Sequence, residues 1–235
     1  MEINSKQIVK LVKSKLKSEY KGELGEEIGY LYFNLDNVDQ KIRIVSRLQF
    51  DKLLRFQGFS ISLTKLEKEF TRLIPENLNK FYGKDERLVL NMNEFYNTDF
   101  TFTQEINDYN HLNEYLEEVV KCIEFHEKEI FPKLLDIDFL AEYVGSVPFE
   151  NQLDIPVGGK YPVSLFKKLA ILKWGKNEEK YIEYKHGLSE FIKEDFNDPQ
   201  YGNEAPIYKK GFDQLVNHLE NEQNPFNNVT FANNA

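Results

Sequence analysis

Between Ile28 and Leu63 three successive runs alternate apolar and polar residues with a period of two, and this alternation narrows the fold more than anything else in the chain. In the second run Ile42, Ile44, Leu48 and Phe50 share one parity and Arg43, Arg47 and Gln49 the other, the pattern of a half-buried strand. The first run sets Leu31, Phe33 and Leu35 against Tyr30, Tyr32 and Asn34. Asp36-Asn37-Val38-Asp39 supplies turn chemistry between the two, so they read as a hairpin. Phe59, Ile61 and Leu63 stand opposite Ser60, Ser62 and Thr64, and further on Phe100 and Phe102 stand opposite Thr101 and Thr103. Arg87 to Met92 reads as one more strand. A sheet with one apolar and one polar face is normally antiparallel, with helices over the apolar side. The expected fold is therefore α+β: an N-terminal helix, an antiparallel sheet of about five strands with one face covered by helices, then a C-terminal helical region.

Helical spacing fills the rest. Ser5 or Asn4 can cap a first helix carrying Ile8, Leu11, Val12 and Leu16, whose apolar stripe should dock on the sheet. Leu66 to Tyr82 reads as partly helical, interrupted at Pro75. Asn107 or Asp108 opens the longest helical pattern, with Leu112, Leu116, Val119, Ile123 and Ile130 on a core stripe and Glu114, Glu117, Glu118 and Glu124 outside. Glycine and proline cluster between Tyr143 and Pro162, and beyond them Leu165, Leu169 and Leu172, then Tyr181, Tyr184, Leu188 and Phe191, form a helical hairpin. A last helix carries Tyr208, Phe212, Leu215 and Leu219. The expected division is 1–142, a loop or linker over 143–161, a helical region over 162–222 packed on the first part, and a tail over 223–235.

Most catalytic chemistry lacks its residues. A single cysteine, Cys122, excludes an internal disulfide, and the four histidines lack the two-on-one-face spacing of a zinc protease helix. Cys122 and His126 share a helical face but make only two ligands, and Glu183 with His186 forms a single Glu-x-x-His where carboxylate-bridged metal bundles need two. Gly158-Gly159-Lys160 fails as a phosphate loop: Asp154 stands at the leading glycine and Tyr161 where magnesium needs Ser or Thr. No cofactor and no metal site is expected. Neither a secretory leader nor an apolar run near the roughly 18 residues of a membrane span is present, so a soluble cytoplasmic protein is expected.

Charge points to a partner. The overall −9 is uneven: Glu94 to Val157 holds fifteen acids against Lys121, Lys128 and Lys133, a net of −12. This disfavours nucleic acid or an anionic membrane and suits a basic protein partner, with Glu114, Glu117, Glu118 and Glu124 as candidate binding residues. A second candidate surface is the polar sheet face, where Tyr30 and Tyr32 share a side with Arg43 and Arg47.

The order of helix, antiparallel strands ending at Phe102, long helix and helical hairpin around Lys168 to Leu172 and Tyr181 to Phe191 resembles a group of uncharacterised bacterial cytosolic domains, some related to immunity proteins encoded beside polymorphic toxins. It spans residues 5 to 195 and implies an intracellular inhibitor, but carries no motif from which a site residue follows. Leu169 to Phe191 is also similar to one tetratricopeptide-type hairpin. The expected function is non-enzymatic binding, of immunity type, through an acidic surface; the competing expectation is an enzyme with a carboxylate-lined cleft between sheet and helices.

Overall fold

The computed structural model of the chain describes residues 5–19, 24–27, 30–50, 52–82, 88–89 and 102–227. In chain order the elements are α1 (Ser5–Glu19), β1 (Leu24–Glu27), β2 (Tyr30–Asp36), β3 (Gln40–Gln49), β4 (Leu53–Leu63), α2 (Thr64–Leu73), α3 (Asn79–Tyr82), β5 (Leu88–Val89) and β6 (Thr103–Glu105). The chain continues through α4 (Tyr109–Glu129), α5 (Ile137–Val144), α6 (Val163–Trp174), α7 (Glu178–Asp195) and α8 (Ala205–Asn221). They form two compact units, one drawn from Met1–Thr64 and Arg87–Lys133, the other from Lys65–Glu86 and Leu134–Ala235.

The first unit is an antiparallel sheet under a helix, so the α+β class holds. Three long strands, β2, β3 and β4, carry the sheet; β1 adds to β2, while β5 and β6 are short segments on β4. The expectation of about five strands overstates the sheet, because only those three run beyond four residues among the described ones. Of the strand expected over Arg87 to Met92, Leu88–Val89 is described, and Phe100 and Thr101 lie outside the described residues.

The hairpin register follows from its turn. Asn37 Oδ1 accepts the N–H groups of Asp39 and Gln40 at 2.9 and 2.7 Å, as an Asx turn does. This sets Leu35 opposite Ile42, Asn34 opposite Arg43 and Tyr30 opposite Arg47. On β3, Ile42, Ile44 and Ser46 are buried and Arg47 is exposed. Phe50 does not extend the apolar parity as expected: it sits in the next turn at φ 49° with 89% of its surface exposed, because β3 ends at Gln49. On β4 a bulge makes Val45 face Gly58 and Ser46 face Phe56, leaving Gln57 as an extra residue beside Gly58 at φ 88°. That residue shifts the parity, so Leu54 and Phe56 before it and Phe59 and Ile61 after it are all buried. Ser62, expected on the polar side, is buried as well.

α4 closes the apolar face. Asp108 caps it, accepting from the N–H groups of Asn110 and His111, and Leu112, Leu116, Val119 and Ile123 are buried. Tyr115 Oη donates to Ser46 Oγ at 2.8 Å, the His126 ring lies 4.3 Å from that of Phe59, and Phe102 stacks on Phe56 at 5.1 Å. α1 buries Ile8 and Val12 and packs against α4.

The second unit is helical. α6 is buried nearly all round and packs against α5, α7 and α8. The chain enters α5 and α7 through side-chain caps, with Asp136 accepting from Asp138 N–H and Asn177 from Lys180 N–H. The expected boundary at 142 is not where the units part: α5 and the separate stretch 65–86 both belong here. Their side chains complete this core, since a β-carbon on Gly211 of α8 would lie 2.4 Å from Leu78 Cδ1 and one on Gly175 would lie 2.3 Å from the β-carbon of Ala141. The stretch 143–161 holds a short 3-10 helix, Phe149–Asp154, and buries Phe149, Ile155 and Val157, with the Phe149 ring 5.4 Å from that of Tyr184. The tail docks as far as it is described: Asn224 Nδ2 donates to Trp174 O at 2.6 Å, and the Phe226 ring lies 5.3 Å from that of Trp174.

Candidate functional site

The two surfaces expected from the sequence both fall in the first unit, on its opposite sides. Glu114, Glu117, Glu118 and Glu124 are exposed on the side of α4 that faces away from the sheet. At about 100° per residue, Lys121 falls between Glu117 and Glu118 and Lys128 falls beside Glu124. Lys121 Nζ meets Glu118 Oε1 at 2.6 Å, and Gln104 Nε2 donates to Glu114 Oε2 at 3.0 Å. The helix thus presents carboxylates with lysines set among them. The acidic stretch from Glu94 to Val157 is also divided: Asp136, Asp138, Glu142, Glu150 and Asp154 belong to the second unit, and Glu94 and Asp99 lie outside the described residues.

On the other side of the sheet the register brings the second group of candidates into rows. Glu27, Tyr30, Arg47, Arg55 and Thr103 align across the strands, and Asn34, Arg43 and Ser60 form a parallel row. Tyr32 stands opposite Val45. Arg43 Nε donates to Asn34 Oδ1 at 3.2 Å. The side chains of Tyr30 and Tyr32 lie outside the described residues; the register aligns the backbone of Tyr30 with that of Arg47. It adds Arg55, exposed and directly across from Arg47, a like-charge pair that a sheet tolerates at some cost. The bulge hid this arginine from a period-two reading.

The groups weighed for chemistry are occupied by structure. His126 is buried with its Nδ1–H on the Cys122 carbonyl at 2.7 Å, and burial pushes the imidazole down to about 4 and the Cys122 thiol up to about 12. Glu183 accepts from Phe149 N–H at 2.6 Å and from Lys180 Nζ at 2.8 Å, while His186 is exposed. Among the described residues no group of three or more His, Cys, Asp or Glu is placed to hold a metal ion, and no helix is long and apolar enough to cross a membrane.

Sequence reading missed the buried polar groups of the second unit. Lys167 and Lys168, adjacent on α6, are 0% and 2% exposed. Lys167 pairs with Glu67 of α2; Lys168 donates to the Gln152 carbonyl and, at 2.9 Å, to Gln152 Oε1. Burial pushes the Lys168 ammonium down to about 8, an effect that the carboxylate of Asp154 partly offsets. Asp195 accepts from Tyr161 Oη, and burial raises its carboxyl above the usual range. The available signal was the apolar setting of Lys167-Lys168, since Ser164 and Lys173 are the other polar residues between Val163 and Trp174. A cleft of about 370 Å³ also lies in this unit, between α2, α6 and α8.

Compared with protein-family models, curated proteins and solved structures, the chain matches none of them.

Proposed function

We propose that the protein acts by binding, as an immunity-type inhibitor, and that the outer face of α4 meets a basic protein partner. The observation that carries this reading is the mounting of that face: Glu114, Glu117, Glu118 and Glu124 point outward from a helix whose inner side is fixed to the sheet through Tyr115 and His126. A surface held by a rigid element needs little ordering on association. Lys121 and Lys128 break the carboxylates into separate positions, so a partner's cations must match a spacing as well as a sign.

The test is capture from the native lysate by the wild type and by the variant Glu114→Gln, Glu117→Gln, Glu118→Gln, Glu124→Gln, followed by salt titration of what is retained. The variant should retain less, with a flatter salt dependence. Equal retention by both proteins, indifferent to salt, would sink the proposal and pass the surface to Arg43 and Arg47.

A further inference from the structure

A cleft of about 370 Å³ opens in the second unit where the end of α6, the end of α2 and the end of α8 approach. This is within the range of small-molecule sites. Its apolar wall is Trp174, Leu73 and Leu219, and its polar wall carries Arg72, Lys173 and Lys176. Three of its basic groups are already engaged. Glu222 holds Arg72 at 3.3 Å and also takes His218, while Glu178 holds Lys173 at 3.0 Å. Lys176 is different: it is exposed, and its ammonium has no partner among the described residues.

The backbone makes the same residue unusual. Lys176 sits at φ 58°, a left-handed conformation in which a β-carbon is disfavoured and glycine or asparagine is the usual occupant. The glycine of this connection stands one residue earlier, at Gly175. There a β-carbon would lie 2.4 Å from the Ile137 carbonyl oxygen and 2.3 Å from the Ala141 β-carbon. The close approach of α5 therefore takes the glycine, and a lysine is kept in the strained position at the rim of the cleft.

We propose that this cleft binds a small organic anion, an aromatic or apolar body carrying one phosphate or carboxylate group, with the body against Trp174 and the anion on Lys176. The two glutamates already in the wall disfavour a ligand with several negative groups and leave room for one. This site is independent of the α4 surface, and neither proposal requires the other.

Trp174 is the single tryptophan of the chain, so its fluorescence reports on the cleft directly. The full-length protein is titrated with phenyl phosphate, benzoate and the neutral control phenol. A saturable change with either anion and none with phenol is expected. The tighter of the two anions assigns phosphate or carboxylate. Lys176→Gly removes the charge while suiting the left-handed backbone. It should leave Tm unchanged or raised and weaken anion binding about tenfold, whereas Lys176→Arg should retain it. The proposal is overturned if neither anion gives a saturable change, if phenol binds as well as the anions, or if Lys176→Gly binds as the wild type does.

Discussion

His126 is 2% exposed and packs against the rings of Phe59 and Phe131. Its imidazole, held down to about 4 by burial, stays neutral in the folded state at pH values where an unfolded chain would protonate it. Between roughly pH 6.5 and 4 the unfolded state therefore binds more protons, and stability falls as pH falls through that window, by about 3 kcal/mol in all. Urea unfolding of the wild type and of His126→Phe at pH 7.5 and pH 4 tests this. The wild type should lose about 3 kcal/mol relative to the variant on acidification. An unchanged difference would mean that the imidazole titrates normally. The sequence placed Cys122 and His126 on one helical side, since spacing alone does that. It could not say that this side meets Phe59, whose position depends on a strand pairing far away in the chain.

At the scale of elements, the helical hairpin of α6 and α7 was legible because leucines and tyrosines recur at helical spacing on both arms. Its fit against α5 was not. Gly175 looked like a turn residue, but its φ of −86° suits any amino acid, and what requires glycine is the Ile137 carbonyl 2.4 Å from where a β-carbon would stand. Backbone cannot be moved aside as a side-chain end can. Gly175→Ala should therefore cost about 1 to 3 kcal/mol, read as a lowered urea midpoint with an unchanged slope. An alanine variant as stable as the wild type would show that α5 can shift freely. The β4 bulge is a parallel case in the sheet: one inserted residue, Gln57, moves the core positions from even numbers before it to odd numbers after it and conceals both Phe56 and Arg55.

For the whole molecule, the units are not consecutive lengths of chain. The second unit takes 65–86 from the middle of the sequence and with it Glu67, the partner of a lysine that is 0% exposed. Removing one member of such a buried pair costs about 3 to 5 kcal/mol, because the remaining charge is left in an apolar surrounding. A fragment of residues 134–235 should consequently lack a cooperative thermal transition by circular dichroism, and joining 65–86 to it should restore one. Equal, cooperative melting with and without that segment would refute the dependence.

Periodicity and turn chemistry are local properties, so the sequence by itself determined the α+β class, the parity of β3 from Ile42 to Arg47, the α4 core stripe and the outward glutamates. Glu114, Glu117, Glu118 and Glu124 could be assigned to solvent because the opposite side of their helix is apolar. The pairing of Lys167 with Glu67, the row that joins Arg47 to Arg55 and the cleft around Trp174 and Lys176 were decided only by tertiary structure. Each brings together residues from separate elements, and local alternation carries no record of which elements meet.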